Sequence, residues 1–262
     1  MRNFILAIST LVGTIIGVGM FGLPYAAAQT GWGVTLIYLA ILGGAVTVMH
    51  LIYGEIVLST HSRHRLAGYA RTYLGWWGKL AGSAVFFVTL YLALLAYLII
   101  GGEFLRIILE GWWDISSTVA TMLMATFGFW VIWRGLKLAG FLELALAAAL
   151  VGLIVFLAGY SLKSAQPENW SFLNSSDDVF LPYGVILFAL AGGSAIPEIR
   201  NFFNGARVRS LKRVIIWGTL IPVAVYAVFI TAVVGLSGLE TSPEALEGLA
   251  SHLGPATMKY GA

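Results

Sequence analysis

Seven long apolar stretches dominate this 262-residue sequence. Each provides about the 20 mainly apolar residues that a helix needs to cross a bilayer. They run over residues 4–29, 33–54, 80–102, 115–133, 144–162, 179–199 and 214–239. Because lipid offers no hydrogen bonds to backbone groups, such stretches must be helical. The sequence therefore predicts an all-α integral membrane protein with one transmembrane domain, residues 1–262.

The charges support this class and suggest an orientation. Only 10% of the residues are charged and the mean hydropathy is +0.89, whereas about 25% of residues are charged in soluble domains. With the N-terminus in the cytoplasm, twelve of the fifteen Lys and Arg residues lie on the cytoplasmic side, as the positive-inside rule requires. Since topology explains where the cations lie, the basic composition does not indicate a nucleic acid as partner, and the apolar spans indicate the lipid bilayer. The absence of cysteine excludes a disulfide framework.

Two of the stretches carry clustered helix breakers. In a helix interior glycine costs roughly 1 kcal/mol and proline roughly 3 kcal/mol. The breakers are Gly13, Gly17, Gly19, Gly22 and Pro24 in the first stretch, and Gly192, Gly193 and Pro197 in the sixth. The two stretches cross the membrane in opposite directions and begin five spans apart. Broken helices at matching positions of two opposed halves indicate an inverted-repeat transporter, with a first repeat over about 1–163 and the start of a second over about 179–262.

A break inside a membrane helix has a chemical use. It exposes N–H groups that attract anions at one half-helix and carbonyls that attract cations at the other. Two such breaks side by side suit a zwitterion, and we interpret them as a binding site. The alternative is helix packing through Gly13-x-x-x-Gly17. A dinucleotide site at GVGMFG (17–22) is excluded, because no strand precedes it and no carboxylate appears until Glu55.

Three segments resemble a known family. GTIIGVGMFGLPYA (13–26) resembles the first-helix signature of the amino acid/auxin permease group, especially its bacterial aromatic and hydroxy amino acid permeases. PYGVILFALAGGSAIPEIRN (182–201) is similar to the sixth helix of that group, and LAGYARTYLGWWGKL (66–80) to the segment before its third helix. The resemblance covers essentially the whole chain. It implies the LeuT-type fold of inverted repeats, with helices 1–7 present and helices 1 and 6 broken.

The resemblance also implies which backbone groups bind the substrate. The carboxylate would meet the N–H groups of Gly17, Val18 and Gly19. The ammonium would meet carbonyls of Gly13, Thr14, Phe188, Ala189 and Ala191. Ser194 could add a hydroxyl, and the run through Gly192 and Gly193 leaves room for a bulky side chain.

A coupling cation is implied as well. Where the family binds sodium, first-helix carbonyls contribute, which are those of Gly13 and Ile16 here. Proton and sodium coupling both stay open. No cofactor or metal site is predicted, since His61-x-x-His64 offers too few ligands.

Four ionisable residues within or near the spans have separate interpretations. His50 lies inside span 2 and is either a proton relay or a buried side chain with a satisfied hydrogen bond. Glu55 is expected to pair with a loop arginine. Glu103 and Arg106 lie one helical turn apart, which predicts a local ion pair.

An intracellular gate is a further candidate. Glu198 follows Pro197 near the inner surface, and Glu143 begins span 5. Either carboxylate could form a gate ion pair with Arg200 or Arg2.

The sequence therefore predicts secondary active transport of a neutral amino acid, with an aromatic one as a candidate, by alternating access. The alternative is a non-transporting membrane scaffold or sensor of the same fold. An enzyme is disfavoured because no His, Asp, Glu or Ser cluster lies within the spans, and a channel because no charged ring lines them. Since the second repeat begins with only two spans, we expect the chain to be the N-terminal part of a longer protein.

Overall fold

The computed structural model describes residues 2–62, 64–109, 112–174, 179–203, 208–243 and 245, and the regular structure within these residues is helical. The α-helices within these residues are α1 Arg2–Ile15, α2 Gly22–Thr30, α3 Trp32–Ser59, α4 Leu66–Leu109, α5 Ser117–Arg134, α6 Leu136–Ser164, α7 Leu181–Ala189, α8 Ile196–Ile199 and α9 Val208–Ser237. Each of the seven predicted stretches falls on one or two of these helices.

The helices differ in whether they are long and apolar enough to cross a membrane. In the described residues, four segments are long and apolar enough to cross a membrane: Trp32–Ser59, Leu66–Leu109, Leu181–Phe202 and Ser210–Glu240. A fifth is the pair Asn3–Ile15 and Val18–Thr30, bent by 57°. The other two predicted spans coincide with α5, which has polar residues at both ends, and α6, of which the structure describes an apolar stretch over Ala149–Ser161. The structure thus supports a multi-pass membrane protein.

The segment 66–80, which resembles the region before the third helix of the permease group, and the predicted span 80–102 belong to one element, α4, which changes direction at Gly75. This glycine has φ 70° and ψ −156°, a conformation that residues with a Cβ rarely adopt. The break divides α4 into residues 66–74 and the long apolar helix that begins directly after Gly75. Trp76 and Trp77, which follow the break, are 65% and 77% exposed.

The chain folds as two compact units, each built from discontinuous segments. The first unit consists of residues 1–20, 36–93 and 180–227. The second consists of residues 21–35, 94–179 and 228–262. Each unit therefore contains segments from both of the expected repeats.

In the first unit, α3 and α9 pack antiparallel through glycines. A Cβ at Gly43 would lie 2.8 Å from Val223 Cγ2, and one at Gly54 would lie 2.5 Å from Ile215 Cδ1. Small residues at helix contacts let backbones approach closely, as is usual in membrane proteins. This packing holds the middle of α9 beside α3.

The second unit contains an ion pair that the sequence predicts. Arg106 Nε contacts Glu103 Oε1, one turn apart in α4. Glu103 also accepts a hydrogen bond of 2.9 Å from the hydroxyl of Ser117 at the start of α5. The predicted local pair is confirmed, and the same carboxylate ties the ends of two helices together.

The polar segment after α6, residues 165–174, is bound to the end of α9. The backbone N–H of Gln166 and the side-chain amide of Asn169 donate to the Gly235 carbonyl, at 2.9 and 3.1 Å. The indole N–H of Trp170 donates to the Thr231 carbonyl at 3.0 Å. The Gly235 carbonyl is among the last four of α9, which have no intrahelical donor. The bond to Thr231 attaches the segment one turn further back in the helix.

The same segment closes the junction between α2 and α3. The side-chain amide of Asn174 donates to the Ala28 carbonyl at 2.6 Å, and its backbone N–H donates to the Thr30 carbonyl at 2.8 Å. Gly31 makes this sharp junction with φ 126°. A Cβ at Gly31 would lie 2.6 Å from Leu173 Cα, so the position needs glycine for both conformation and space.

We therefore expect Gly31→Ala to destabilise the full-length gene product by about 1–3 kcal/mol, because it combines backbone strain with a steric clash. The measurement is the thermal unfolding midpoint in detergent. Gly44→Ala in α3 is the matched control, since a Cβ there meets nothing within 4 Å and alanine favours a helix. Equal midpoints for the two variants would contradict this account of the junction.

Candidate functional site

The first helix of the first unit is broken after Ile15. The last α-helical bond runs from Ile16 N–H to the Val12 carbonyl at 2.8 Å. The chain resumes in a 3-10 turn over Val18–Met20, closed by a 3.2 Å bond from Met20 N–H to the Gly17 carbonyl. Within the described part of the chain, the N–H groups of residues 17–19 have no backbone acceptor. The predicted break is confirmed, and within the described residues it leaves these N–H groups without a backbone partner.

The second broken helix begins with α7, which ends at Ala189. Ala191 N–H donates to the Phe188 carbonyl at 3.2 Å, and Ala195 N–H donates to the Gly192 carbonyl at 3.1 Å. A 3-10 turn over residues 193–195 then leads into α8. In the residues that the structure describes, the N–H groups of 192–194 have no backbone acceptor. This break also lies where the sequence predicts it.

The two breaks are in direct contact. A Cβ at Gly19 would lie 2.8 Å from Ala189 Cα and 2.9 Å from Phe188 Cδ1. A Cβ at Gly192 would lie 2.2 Å from Ile15 Cγ1. Each break therefore needs a glycine at the point where the other break approaches it.

The remaining predicted site residues differ in their surroundings. A Cβ at Gly13 meets nothing within 4 Å, which does not support close helix packing at this glycine in the described structure. The hydroxyl of Thr14 donates to the Thr10 carbonyl of its own helix at 2.8 Å. Ala191 and Ser194 are exposed.

Tyr226 of α9 joins the two breaks. Its side chain is fully buried. Its hydroxyl lies 2.8 Å from the Ile15 carbonyl oxygen and 3.0 Å from the Ala189 carbonyl oxygen. These two carbonyls belong to the last residues of α1 and α7. The Ala189 carbonyl, a predicted acceptor, therefore contacts a hydroxyl, and the Ile15 carbonyl shares that hydroxyl with it.

Sequence reasoning missed Tyr226, although a signal for it exists. Thr219 and Tyr226 are polar residues seven positions apart in the apolar sequence of α9, which places them on one helix face. That face lies toward the breaks.

His50 of α3 also faces this region. Its Nδ1 lies 3.1 Å from the Thr219 hydroxyl oxygen, and the side chain is only 6% exposed. A Cβ at Gly193 would lie 3.8 Å from His50 Nε2. His50 thus has a hydrogen bond at Nδ1, as expected for a buried side chain with a satisfied hydrogen bond. Its other nitrogen, Nε2, faces the second break.

The predicted gate residues have different partners. Glu198 lies 3.6 Å from Arg65 Nη2, with both side chains exposed. Arg200 Nη1 donates to the carbonyls of Val57 and Thr60, at 2.6 and 3.1 Å, and so caps the end of α3. The expected pair of Glu198 with Arg200 does not form, because residues two apart on a helix point in different directions.

The other expected ion pairs give one correction. Glu55 pairs with Lys212 of α9 at 2.5 Å, so the expectation of a loop arginine is wrong. The side chains of Arg2 and Glu143 lie outside the described residues, and their part in a gate stays a prediction.

Comparison with known proteins places this chain among permeases. It is 27% identical over 235 residues to Tyrosine-specific transport system 1 of Haemophilus influenzae, covering 87% of this chain and 57% of that protein. It is 25% identical over 238 residues to Glutamine transporter 2 of Aliivibrio fischeri, covering 89% and 61%. It is also 25% identical over 240 residues to the Tryptophan-specific transport protein of Shigella flexneri, covering 85% and 55%.

The chain thus spans between 55% and 61% of the length of these relatives. They are transporters and not enzymes. The matching family is named for tryptophan and tyrosine and is not the wider amino acid/auxin permease group. Because residues 1–248 match it, the chain belongs to the tryptophan/tyrosine permease family.

Proposed function

We propose that the protein is a secondary transporter of neutral amino acids, aromatic ones in particular, in the bacterial cell membrane. The observation that carries this proposal is the contact of two broken helices at Gly19 and Gly192. Their free N–H groups and helix-end carbonyls offer complementary partners for a zwitterion. Family membership and the relatives named for tyrosine, tryptophan and glutamine support an amino acid as substrate.

In this proposal the substrate carboxylate binds the N–H groups of residues 17–19. The ammonium binds carbonyls at the ends of the half-helices, including the Ile15 and Ala189 carbonyls that the Tyr226 hydroxyl contacts. A neutral side chain fits because residues 12–24 and 186–197 contain no Asp, Glu, Lys or Arg. A charged substrate side chain at that depth would need a partner charge.

The proposal includes the LeuT-type inverted repeat, alternating access and a cytoplasmic N-terminus. The repeat is supported by two breaks in helices that are predicted to run in opposite directions. The orientation is supported by the distribution of Lys and Arg.

The direct test is uptake of labelled tyrosine, tryptophan and glutamine by cells or vesicles containing the full-length gene product. We expect saturable uptake of an aromatic amino acid, with unlabelled neutral amino acids competing. Specific binding without flux into vesicles would contradict transport and would favour the scaffold or sensor alternative.

We further propose coupling to a proton or sodium gradient, with the carbonyls of Gly13 and Ile16 as the candidate cation site. Carbonyls at the end of a half-helix attract cations. Uptake by vesicles with only a pH gradient or only a sodium gradient imposed identifies the ion. Equal accumulation with neither gradient would contradict coupling.

The contact between the breaks gives a specific expectation. Gly19→Ala should strongly reduce uptake, because a methyl group at residue 19 would force the Ala189 backbone away. Gly184→Ala in α7 is the matched control, since a Cβ there meets nothing within 4 Å. The measurement is initial uptake rate normalised to membrane-inserted protein. Normal uptake by Gly19→Ala would exclude this contact from the transport site.

The position of His50 gives a second expectation. Thr219→Val keeps the side-chain volume but removes the hydroxyl beside His50 Nδ1. Without this hydrogen bond the His50 ring is held less firmly beside the second break. If the lost hydrogen bond of about 1 kcal/mol is needed for substrate binding, the KM for uptake should rise about fivefold. Thr10→Val is the control, because the Thr10 hydroxyl bonds only the Leu6 carbonyl of its own helix in the described structure. An unchanged KM in Thr219→Val would leave His50 with a packing role alone.

A further inference from the structure

At each break, the helix before it ends in a carbonyl that has no N–H donor within that helix. These are the carbonyls of Ile15 in α1 and Ala189 in α7. Ile15 and Ala189 are each only 3% exposed, so water has little access to these groups. A buried carbonyl without a donor costs free energy. Among the described residues, the buried hydroxyl of Tyr226 lies within 3.0 Å of both oxygens.

In this arrangement one hydroxyl donor faces two carbonyl acceptors. A phenolic hydroxyl carries one hydrogen, so it can serve only one of the two carbonyls fully at any moment. An ammonium carries three hydrogens and could serve both carbonyls at once. A substrate amine is therefore a better partner for this pair of oxygens than Tyr226.

We propose that Tyr226 is a positioning residue that stands in for the substrate ammonium when the transporter is empty. It holds the ends of α1 and α7 together by their carbonyls until an amine takes over that role. This inference rests on the proposed transport function and identifies which state of the cycle depends on this hydroxyl.

The consequence follows from alternating access. After releasing substrate, an empty carrier must close and return with no ammonium between the two carbonyls. Only then does the protein depend on Tyr226 for a donor. A loaded carrier has the substrate amine and does not need the hydroxyl.

The test separates these two steps with Tyr226→Phe, which removes the hydroxyl and keeps the ring. Net uptake into substrate-free vesicles requires the empty carrier to return, whereas exchange of labelled for unlabelled substrate does not. We expect Tyr226→Phe to slow net uptake about tenfold, as for a buried carbonyl left without a donor, and to leave exchange unchanged. Tyr183→Phe is the control, because Tyr183 in α7 is 50% exposed.

Each outcome has one meaning. Net uptake and exchange that fall together, at equal protein level, would overturn the inference, and so would an unchanged net uptake. If the unsubstituted protein shows neither uptake nor exchange, it is the proposed transport function that fails.

A second measurement covers the case in which Tyr226→Phe inserts poorly. The thermal midpoint of the detergent-purified protein is recorded with and without the amino acid that the unsubstituted protein transports. We expect a lower midpoint for the empty variant and a larger rise on adding substrate than in the unsubstituted protein. An equal or smaller rise would overturn the inference.

Discussion

A backbone polar group inside a bilayer needs a partner from the protein, since lipid supplies none. Interrupting a membrane helix is therefore allowed only where something else meets the freed groups. Here the two interruptions meet each other. Gly19 lies against the Ala189 backbone, Gly192 lies against the Ile15 side chain, and the hydroxyl of Tyr226 reaches the carbonyls of both half-helices.

Helix α9 supplies the frame for this arrangement. Gly43 and Gly54 of α3 let its apolar residues approach closely, and Gly218 on α9 accepts Leu11 of α1 at a distance that excludes a side chain. Close packing on both sides leaves α9 little freedom to rotate or slide. Its polar residues Thr219 and Tyr226 are consequently held at defined positions beside the breaks. Residues of α3 and α9, which are distant in sequence from the two breaks, thus determine the geometry of the breaks.

The contrast between what the sequence predicts and what it misses follows from the range of each interaction. The breaks after Ile15 and Ala189 are local consequences of glycine and proline, and a single segment is enough to locate them. The Glu103–Arg106 pair is equally local. Tyr226 and the partner of Glu198 depend on which helices become neighbours, and no local pattern contains that information. Glu198 and Arg200 are close in the chain, but side chains two residues apart on a helix point in different directions, so they have different partners.

The glycines also show that packing and binding are not competing explanations for the first motif. A Cβ at Gly13 would meet open space, whereas one at Gly19 would collide with the backbone of the other break. The packing glycine is therefore inside the unwound segment itself. Its missing side chain brings the two breaks together, and that closeness places the free N–H groups of one break beside the carbonyl end of the other. Gly19 therefore matters for both packing and binding. A substitution at Gly19 that disrupts the packing must also displace the groups proposed to bind the substrate.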